Sequence, residues 1–253
     1  MNGNSSSAVP RFFAEVPLAE QASIVLPKKV ARHVRVLRLE AGDALTLFNG
    51  SGGQYRAELV EISKQTVVVH TLAFEACELE MPYRITLAQG IASGDKMDWL
   101  IEKAVELGVA GVVPLSTSRG VVKLSGERAD KRVAYWQGVV RAACEQCGRN
   151  RVPAVAAVSD YAAWLAALPP PNEGELRLML SPRASIAFAE LPDKAPIGEI
   201  RLLIGPEGGL STHEEDAARE YGFQAIVLGA RLLRTETVGM AMLAALASRW
   251  GGW

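Results

Sequence analysis

The part of this 253-residue chain after residue 82 alternates between strand-like and helix-like segments, and this alternation constrains the fold most. Short apolar runs rich in β-branched residues are followed by longer stretches with helical periodicity. Strands that are separated by helices lie parallel, and the helices cover the sheet. The sequence therefore predicts an α/β domain with a mainly parallel sheet over residues 82–253. The predicted strands are residues 83–89, 111–115, 176–180, 200–204 and 225–228, and the predicted helices are residues 96–107, 131–147, 211–221 and 237–250.

The first 75 residues have a different rhythm, in which short β-like runs are separated by turn signals at residues 41–43 and 49–53. Several short strands at this spacing are typical of a small barrel. We therefore predict a β-barrel domain over residues 1–75, a linker over residues 75–82, and a polar tail over residues 1–9. The predicted strands are residues 11–14, 44–48, 54–62 and 66–72.

Composition and charge narrow the class of protein. No apolar run reaches the length of a membrane span, and the N-terminus has no signal-peptide pattern. Three cysteines, an odd number, argue against a disulfide framework and for a reducing compartment, so we expect a cytoplasmic protein. The net charge is −1, but residues 1–151 carry 19 Lys and Arg against 16 Asp and Glu, whereas residues 152–253 carry 8 against 12. Positive potential is therefore expected on the first part of the chain.

A basic stripe is predicted on a helix over residues 27–38. Lys28, Arg32 and Arg35 recur at i, i+4 and i+7, so they share one helix face. The opposite face is apolar and is formed by Val30, Val34 and Leu37. Such a stripe suits a phosphate backbone, although an ordinary solvated helix face has the same pattern.

The segment from Cys144 to Arg151 has a C-x-x-C spacing followed by polar residues. A zinc site needs four ligands, and neither a second cysteine pair nor a histidine cluster is present, so we predict no metal. Two partly buried cysteines are the simpler interpretation. Arg149 and Arg151 suit phosphates or bases, but a solvated helix end is the alternative.

Two apolar runs, residues 203–209 and 228–237, each end in glycine before a predicted helix. Glycine lets the backbone approach a ligand closely, and a capping box at Ser211-Thr212-His213-Glu214 begins the first of the two helices. The Walker and dinucleotide signatures are both absent, and Glu207 would repel a phosphate. The pair of loops therefore predicts a crevice for a neutral or cationic ligand that carries an adenine and a ribose.

These two segments resemble the signature motifs of the 16S ribosomal RNA (uracil-N3)-methyltransferase family, which belongs to the SPOUT class. The resemblance extends over nearly the whole chain. It includes the segments at residues 35–38, 94–97, 142–153 and 182–184.

The resemblance implies a SPOUT domain with a deep trefoil knot, a PUA-like RNA-binding N-terminal domain, a homodimer, and S-adenosylmethionine as the cofactor. It implies methylation of uridine N3 in the decoding region of 16S rRNA in the small ribosomal subunit. Arg234 is the expected catalytic cation, and Glu236 either accepts the N3 proton or anchors the loop. The expected cofactor contacts are Leu180, Ser181, Ile204, Gly205, Pro206, Glu207, Gly208, Gly209, Leu228, Gly229, Leu233 and Thr235. The expected RNA contacts are Arg32, Arg35, Arg38, Lys96, Arg149 and Arg151.

Two other functions are compatible with the same motifs. One is a related knotted methyltransferase that acts on a ribose 2′-hydroxyl or on a tRNA base. The other is an RNA-binding protein without catalytic activity that keeps the fold as a scaffold. The intact glycines of both loops count against the scaffold.

Overall fold

The computed structural model describes residues 9–253, so most of the predicted polar tail lies outside the described residues. The chain divides into two compact units. The first comprises the N-terminal residues through Leu79 together with Cys144–Val152, and the second comprises Glu80–Ala143 and Pro153–Trp253. Residues 144–152 thus pack with the N-terminal unit, whereas the predicted boundaries assign them to the C-terminal domain.

The first unit is built on a five-stranded sheet with the order β1-β3-β4-β5-β2. β1 and β3 pair in parallel, and the other neighbours are antiparallel. The sequence thus correctly predicted a separate β unit at the N-terminus. The elements are β1 (Arg11–Phe13), β2 (Ser23–Val25), α1 (Lys28–Val36), β3 (Ala44–Phe48), β4 (Gln54–Ile62) and β5 (Val67–Glu75).

Helix α1 covers the core of this sheet with Val30, Ala31 and Val34, which are buried. The prediction for Leu37 is wrong, because its side chain is 46% exposed. The helix ends at Val36, and the backbone then turns away through Arg38, which has a φ of 56°. The apolar periodicity therefore stops one turn earlier than the sequence suggests.

The second unit is built on an eight-stranded sheet with the order β11-β13-β10-β12-β6-β7-β8, and β9 lies beside β7. All of its pairings are parallel, so the predicted parallel sheet is confirmed. The strands are β6 (Ile85–Gly90), β7 (Gly111–Ser116), β8 (Ala154–Val155), β9 (Ser159–Asp160), β10 (Leu176–Leu180), β11 (Ile186–Ala187), β12 (Ile200–Ile204) and β13 (Gln224–Val227). The helices are α2 (Lys96–Glu106), α3 (Gly126–Cys147), α4 (Tyr161–Ala166), α5 (Thr212–Glu220) and α6 (Thr235–Trp250), and residues 144–147 of α3 belong to the first unit.

Strands β13, β10 and β12 are neighbours in the sheet, which fixes the position of the loops that follow them. Leu180 is paired with Ile226, and Met179 is paired with Leu203, so the three strands end at nearly the same level. Because they are parallel, their carboxyl ends share one edge of the sheet. The threading of the last helix through a loop, the knot that the resemblance implies, stays a prediction. No helix within residues 9–253 has the length and apolarity needed to cross a bilayer.

Candidate active-site cleft

A cleft of about 680 Å³ opens where β12, β10 and β13 end. Its walls come from the loops after these strands, which the alternating sequence places at one edge of the sheet. Every residue that was predicted to contact the cofactor lines this cleft, and so do Arg234, Glu236 and Lys96. The two glycine-ended segments, which are separate in sequence, therefore form its two lips.

The first lip is a tight glycine loop after β12. A Cβ atom on Gly205 would lie 2.7 Å from the backbone nitrogen of Leu210, a distance that no real side chain tolerates. Gly209 has a φ of 66°, a conformation that glycine adopts without strain. The capping box also forms, since Ser211 accepts from the Glu214 amide at 3.2 Å and Glu214 accepts from the Ser211 amide at 2.8 Å. Backbone rather than side chains therefore forms this wall.

Gln89, at the end of β6, ties the two lips together and was missed by the sequence reasoning. Its buried amide donates to the Gly205 carbonyl at 3.2 Å and to Oγ1 of Thr235 at 3.1 Å. Thr235 in turn donates to the same carbonyl at 2.6 Å. Polar side chains in buried strands usually find hydrogen-bond partners within the protein, so a glutamine in an apolar run was the available signal.

Glu207 lies on the first lip, but its carboxylate is engaged by neighbouring residues. Oε1 accepts from the backbone and the hydroxyl of Ser93 at 2.9 and 2.6 Å and from Lys96 at 3.1 Å. Burial raises the pKa of Glu207, but the hydrogen bonds from Ser93 and Lys96 outweigh it and lower this pKa to about 2. Lys96 is thus held in an ion pair, which reduces the charge that it offers to RNA.

A second buried carboxylate, Glu215, lines the floor of the cleft and was also missed. It accepts from the Ser181 hydroxyl at 2.9 Å, and it pairs with Arg183 at 2.7 Å and with Arg219 at 3.3 Å. The acid is 3% exposed, so its charge is stable only because these partners surround it. The network fixes Ser181 and Arg183 beside the end of β10.

The second lip carries the predicted catalytic pair. Arg234 is the exposed N-cap residue of α6, and within residues 9–253 its side chain has no hydrogen bond or ion pair. Glu236 lies in the first turn and is half-buried, and its Oε2 atom is buried without a hydrogen-bond partner in the described structure. Thr235, not Glu236, supplies the side chain that anchors this lip. Both members of the pair are therefore available to a ligand.

The other predicted RNA contacts lie in the first unit and differ in accessibility. Arg32 and Arg38 are exposed, whereas Arg35 is half-buried and donates to the Ser63 carbonyl at 2.9 Å. Arg151 is exposed and lies 3.5 Å from Glu78. The side chain of Arg149 is 3% exposed, so the structure does not place it on a surface with the others.

Several residues of the segment from Cys144 to Arg151 are hydrogen-bonded to other parts of the first unit. Glu145 accepts from the backbone of Phe13 at 2.8 Å. Asn150 accepts from Arg11 at 3.0 Å and donates to the carbonyl of Cys77 at 2.8 Å. Residues 9–253 contain no group of three or more His, Cys, Asp or Glu side chains placed to hold a metal ion. These contacts explain why residues 144–152 pack with the N-terminal sheet.

Comparisons with known proteins agree with this geometry. A family profile described as RNA methyltransferase domain matches residues 79–247, and one described as RNA methyltransferase PUA domain matches residues 26–72. The solved structure of a ribosomal RNA small subunit methyltransferase E from Neisseria gonorrhoeae, bound to S-adenosyl methionine, is 38% identical with a TM-score of 0.89. The match covers 96% of this chain and 98% of that chain.

Two further relatives are similar over the same extent. A methyltransferase structure from Legionella pneumophila, in complex with the bound cofactor SAM, is 33% identical with a TM-score of 0.89, and the match covers 96% of this chain and 98% of that chain. A ribosomal RNA small subunit methyltransferase E from Buchnera aphidicola subsp. Schizaphis graminum is 34% identical, over 96% of this chain and 97% of the relative.

A parallel sheet with a backbone-walled cleft, accompanied by a PUA-type unit, defines the class as RNA methyltransferases. Within that class, the chain belongs to the ribosomal RNA small subunit methyltransferase E family. The family prediction from the sequence motifs is thereby confirmed.

Proposed function

We propose that this protein uses S-adenosylmethionine to methylate N3 of a specific uridine in the decoding region of 16S rRNA of the small ribosomal subunit. The main support for this proposal is the state of two side chains at the cleft. Arg234 and Glu236 have no partner within residues 9–253, and they lie at the lip of a cleft whose facing wall is glycine backbone. A cation and an acceptor that are both free, beside such a wall, suit a reaction that removes a proton from a base.

The cleft fits S-adenosylmethionine on two grounds. Ile204, Ile226 and Leu228 offer apolar surface to an adenine, and the loop at Gly205 leaves backbone groups open to it. The buried Oε2 of Glu236 is an acceptor without a donor in the described structure, and an amino group or a ribose hydroxyl would satisfy it. The relatives that hold the cofactor in their solved structures support the same assignment.

The bound cofactor supplies a methyl group on a sulfonium, whose neutral leaving group needs no activation. For the transfer step, the task of the chain is therefore to align the methyl group with the base. In well-oriented reactions such alignment lowers the barrier by about 7–11 kcal/mol. Gln89 and Thr235 serve it by fixing the distance between the two lips through the Gly205 carbonyl. A lip that moved by a fraction of an ångström would misplace the base.

Uridine N3 carries a proton and becomes a good nucleophile only when that proton leaves. Arg234, exposed and unpaired, would face the base carbonyls and stabilise the negative charge that develops on them. Glu236 would accept the N3 proton through the carboxylate oxygen that the cofactor leaves free, since the group is half-buried and makes no hydrogen bond among the described residues. The two residues thus divide the work of charge stabilisation and proton transfer.

N3 lies on the Watson–Crick edge, so the uridine must be unpaired or flipped out of its helix before it can react. Contacts to the surrounding RNA hold the strand while this happens. Arg32, Arg38 and Arg151 are exposed and keep this proposed role. Arg149 loses it because its side chain is buried.

The proposal includes a homodimer that works in the cytoplasm, as the family resemblance implies. Sedimentation equilibrium tests the oligomeric state, and a monomer at micromolar concentration would contradict this part alone.

The test of the activity is a methylation assay with small ribosomal subunits, naked 16S rRNA and free RNA fragments, followed by nucleoside mass spectrometry. We expect N3-methyluridine as the product, and its loss from the rRNA of a strain that lacks the gene. A different methylated nucleoside, with N3-methyluridine intact, would favour a 2′-hydroxyl or tRNA enzyme. No S-adenosylmethionine binding in calorimetry would favour a scaffold.

A further inference from the structure

The cations that line the cleft differ in whether an acid neutralises them. Lys96 is paired with Glu207, and Arg183 is paired with Glu215. Arg119 lines the same cleft and has no acidic partner within the described residues. Arg119 was not among the residues that the sequence motifs single out, so its role is open.

Arg119 belongs to a loop after β7, residues 117–123, that is fixed against the first lip. The backbone and the hydroxyl of Ser118 donate to the Glu214 carboxylate at 2.7 and 2.8 Å. Nη1 of Arg119 donates to the carbonyls of Gly208 and Leu210 at 3.2 and 3.3 Å. A Cβ atom on Gly208 would lie 3.1 Å from Cβ of Arg119, so the glycine allows the two segments to approach. The guanidinium is therefore held in one place.

The 117–123 loop carries a second cation, Lys123, whose ammonium donates to the Thr117 carbonyl at 2.9 Å. Carbonyl oxygens orient these cations without cancelling their charge. Lys123 likewise has no acidic partner in residues 9–253, and both side chains are exposed. The neighbouring carboxylate of Glu214 is buried and accepts hydrogen bonds from Ser118 and Ser211, so it is already satisfied.

A fixed, exposed and unneutralised guanidinium is suited to an oxyanion. Nη1 of Arg119 contacts the two carbonyls, and Nε and Nη2 make no hydrogen bond among the described residues. Arginine binds phosphate through such paired donors, and a preorganised side chain loses less entropy on binding than a mobile one. Lys123 does not line the cleft, so the 117–123 loop carries one cation inside the cleft and one outside it. Charge that extends along a surface matches successive phosphates of a strand better than a single carboxylate deep in the cleft.

We infer that the 117–123 loop binds the RNA sugar–phosphate backbone next to the target nucleotide, with Arg119 and Lys123 as the two phosphate contacts. The inference rests on the proposed function, since it deepens the account of how that substrate is held. It places an RNA contact within the catalytic unit itself, in addition to the basic residues of the first unit. Such a contact would keep the strand in position while the uridine is flipped.

The experiment measures the affinity for small ribosomal subunits that lack the modification, over a series of salt concentrations, for wild type, Arg119→Met, Arg119→Lys and Lys123→Met. Lys194→Met is the matched control, because Lys194 is exposed, does not line the cleft and has no partner in the described structure. Calorimetry with S-adenosylmethionine and thermal unfolding are measured on the same preparations. Both readouts are needed because Arg119 also contacts the glycine loop.

We expect Arg119→Met and Lys123→Met each to weaken RNA binding roughly five- to tenfold and to lower the slope of log K against log[salt] by about 0.7–0.9. Arg119→Lys should keep the slope and lose part of the affinity. Cofactor affinity and Tm should stay at the wild-type values.

The inference is overturned if both variants bind RNA like Lys194→Met. It is also overturned if Arg119→Met weakens S-adenosylmethionine as much as RNA, which would make Arg119 a ligand of the cofactor carboxylate or a support for the loop. If Arg119→Met unfolds, Lys123→Met decides, because the Lys123 ammonium donates to the Thr117 carbonyl and makes no hydrogen bond to the glycine loop among the described residues. If the wild type binds RNA and transfers methyl, but the variants bind RNA like Lys194→Met, only this inference is refuted. A wild type that does neither refutes the proposed function as well.

Discussion

The second lip of the cleft and the segment from Cys144 to Arg151 are both polar, and both stand out in the sequence, yet the structure treats them differently. At the lip, the side chains of Arg234 and Glu236 make no hydrogen bond or ion pair within residues 9–253. In the other segment, Glu145 accepts a hydrogen bond from Phe13. Asn150 accepts one from Arg11 and donates one to Cys77. Polar groups without partners are available to a ligand, whereas satisfied groups hold the fold together.

The two regions also differ in how deeply their charged side chains are buried. The guanidinium of Arg11 contacts Asn150, and burial lowers the pKa of Arg11 although the nearby acidic groups oppose this effect. A partly desolvated charge needs its partners, so removing one of them costs stability. Arg234 is exposed, and water satisfies it until a substrate arrives. The two regions should therefore respond to mutation in opposite ways.

The largest expected effect is that of Arg234→Ala on catalysis. Loss of the cation that stabilises the developing charge should lower kcat about 10²–10³-fold. The affinity for S-adenosylmethionine and the Tm should change little, because the side chain is exposed and makes no hydrogen bond or ion pair within residues 9–253. Single-turnover methylation measures the effect, and Arg128→Ala, at an exposed arginine of α3 that does not line the cleft, is the control. An equal loss of kcat in both variants would remove Arg234 from the mechanism.

Gly205→Ala tests whether the wall of the cleft is made of backbone. The new Cβ would lie 2.7 Å from the Leu210 nitrogen, so the loop must shift at a cost of about 1–3 kcal/mol. Calorimetry should show weaker binding of S-adenosylmethionine. Gly111→Ala is the matched control, since its Cβ would have its nearest contact at an ordinary 3.5 Å. Unchanged affinity in Gly205→Ala would mean that the loop does not shape the site.

Asn150→Ala makes the opposite prediction for the buried segment. Asn150 is 1% exposed, and its removal takes away one hydrogen-bond acceptor of Arg11 and the side-chain donor to the Cys77 carbonyl. The free energy of unfolding should fall by about 1–3 kcal/mol, while kcat per folded molecule should stay at the wild-type value. Urea denaturation measures the loss, and Asn172→Ala at an exposed asparagine should show none. A loss of kcat without a loss of stability would erase the distinction between the two regions.

Gln89→Leu and Thr235→Val test the connection between the two lips. Each change removes one of the hydrogen bonds to the Gly205 carbonyl, which should weaken S-adenosylmethionine binding about three- to tenfold. Because both residues act through the same atom, the effects should not add in the double variant. Additive effects would show that Gln89 contributes only to packing. The measurement is a double-mutant cycle of cofactor affinity, and kcat in saturating cofactor should fall as well, because the two lips are no longer held at the distance that aligns the base.

The smallest effect is the pH dependence of Glu207. Its pKa of about 2 in the folded protein lies below the ordinary value of 4.5, so its stabilising contribution is present above pH 4.5 and is lost as the pH falls towards 2. The carboxylate is near solvent, and the contribution should therefore be at most about 1 kcal/mol. The difference in unfolding free energy between wild type and Glu207→Gln should be constant from pH 5 to 8 and shrink between pH 4.5 and 3. A difference that instead grows on acidification would contradict the ion pair with Lys96.

The sequence predicted the strands and helices in which apolar residues recur at a clear period, and it missed the elements in which they do not. Several strands, such as Gln54–Ile62 and Leu176–Leu180, have the predicted bounds, because apolar and turn residues mark both ends. Strands of two or three residues, including Ser23–Val25 and Ile186–Ala187, are too short for any periodicity and form only because a neighbouring strand pairs with them.

The residues of the candidate site likewise fall into two groups: those that local sequence signals predicted and those that they did not. Glycines at turns, the capping box at Ser211 and the polar residues of the second lip are local signals, and the sequence placed them. Gln89 and Arg119 come from strands or loops that are distant in the chain, and nothing next to them in sequence shows that they meet the glycine loop. Arg149 failed for the related reason that a charged residue near other charged residues is read as exposed, whereas its side chain is buried.

The sequence by itself determined the order of the longer strands and helices, the two glycine loops and the family, because these depend on local conformation and on motifs that are continuous in the chain. Only the tertiary structure decided which polar groups remain free. Whether a carboxylate or a guanidinium has a partner depends on residues brought together from distant positions, as with Glu207 and Lys96 or Arg11 and Asn150. Burying an unpaired charge costs free energy. The presence or absence of a partner is therefore the physical property that distinguishes the cleft from the segment between Cys144 and Arg151, which is also polar in sequence.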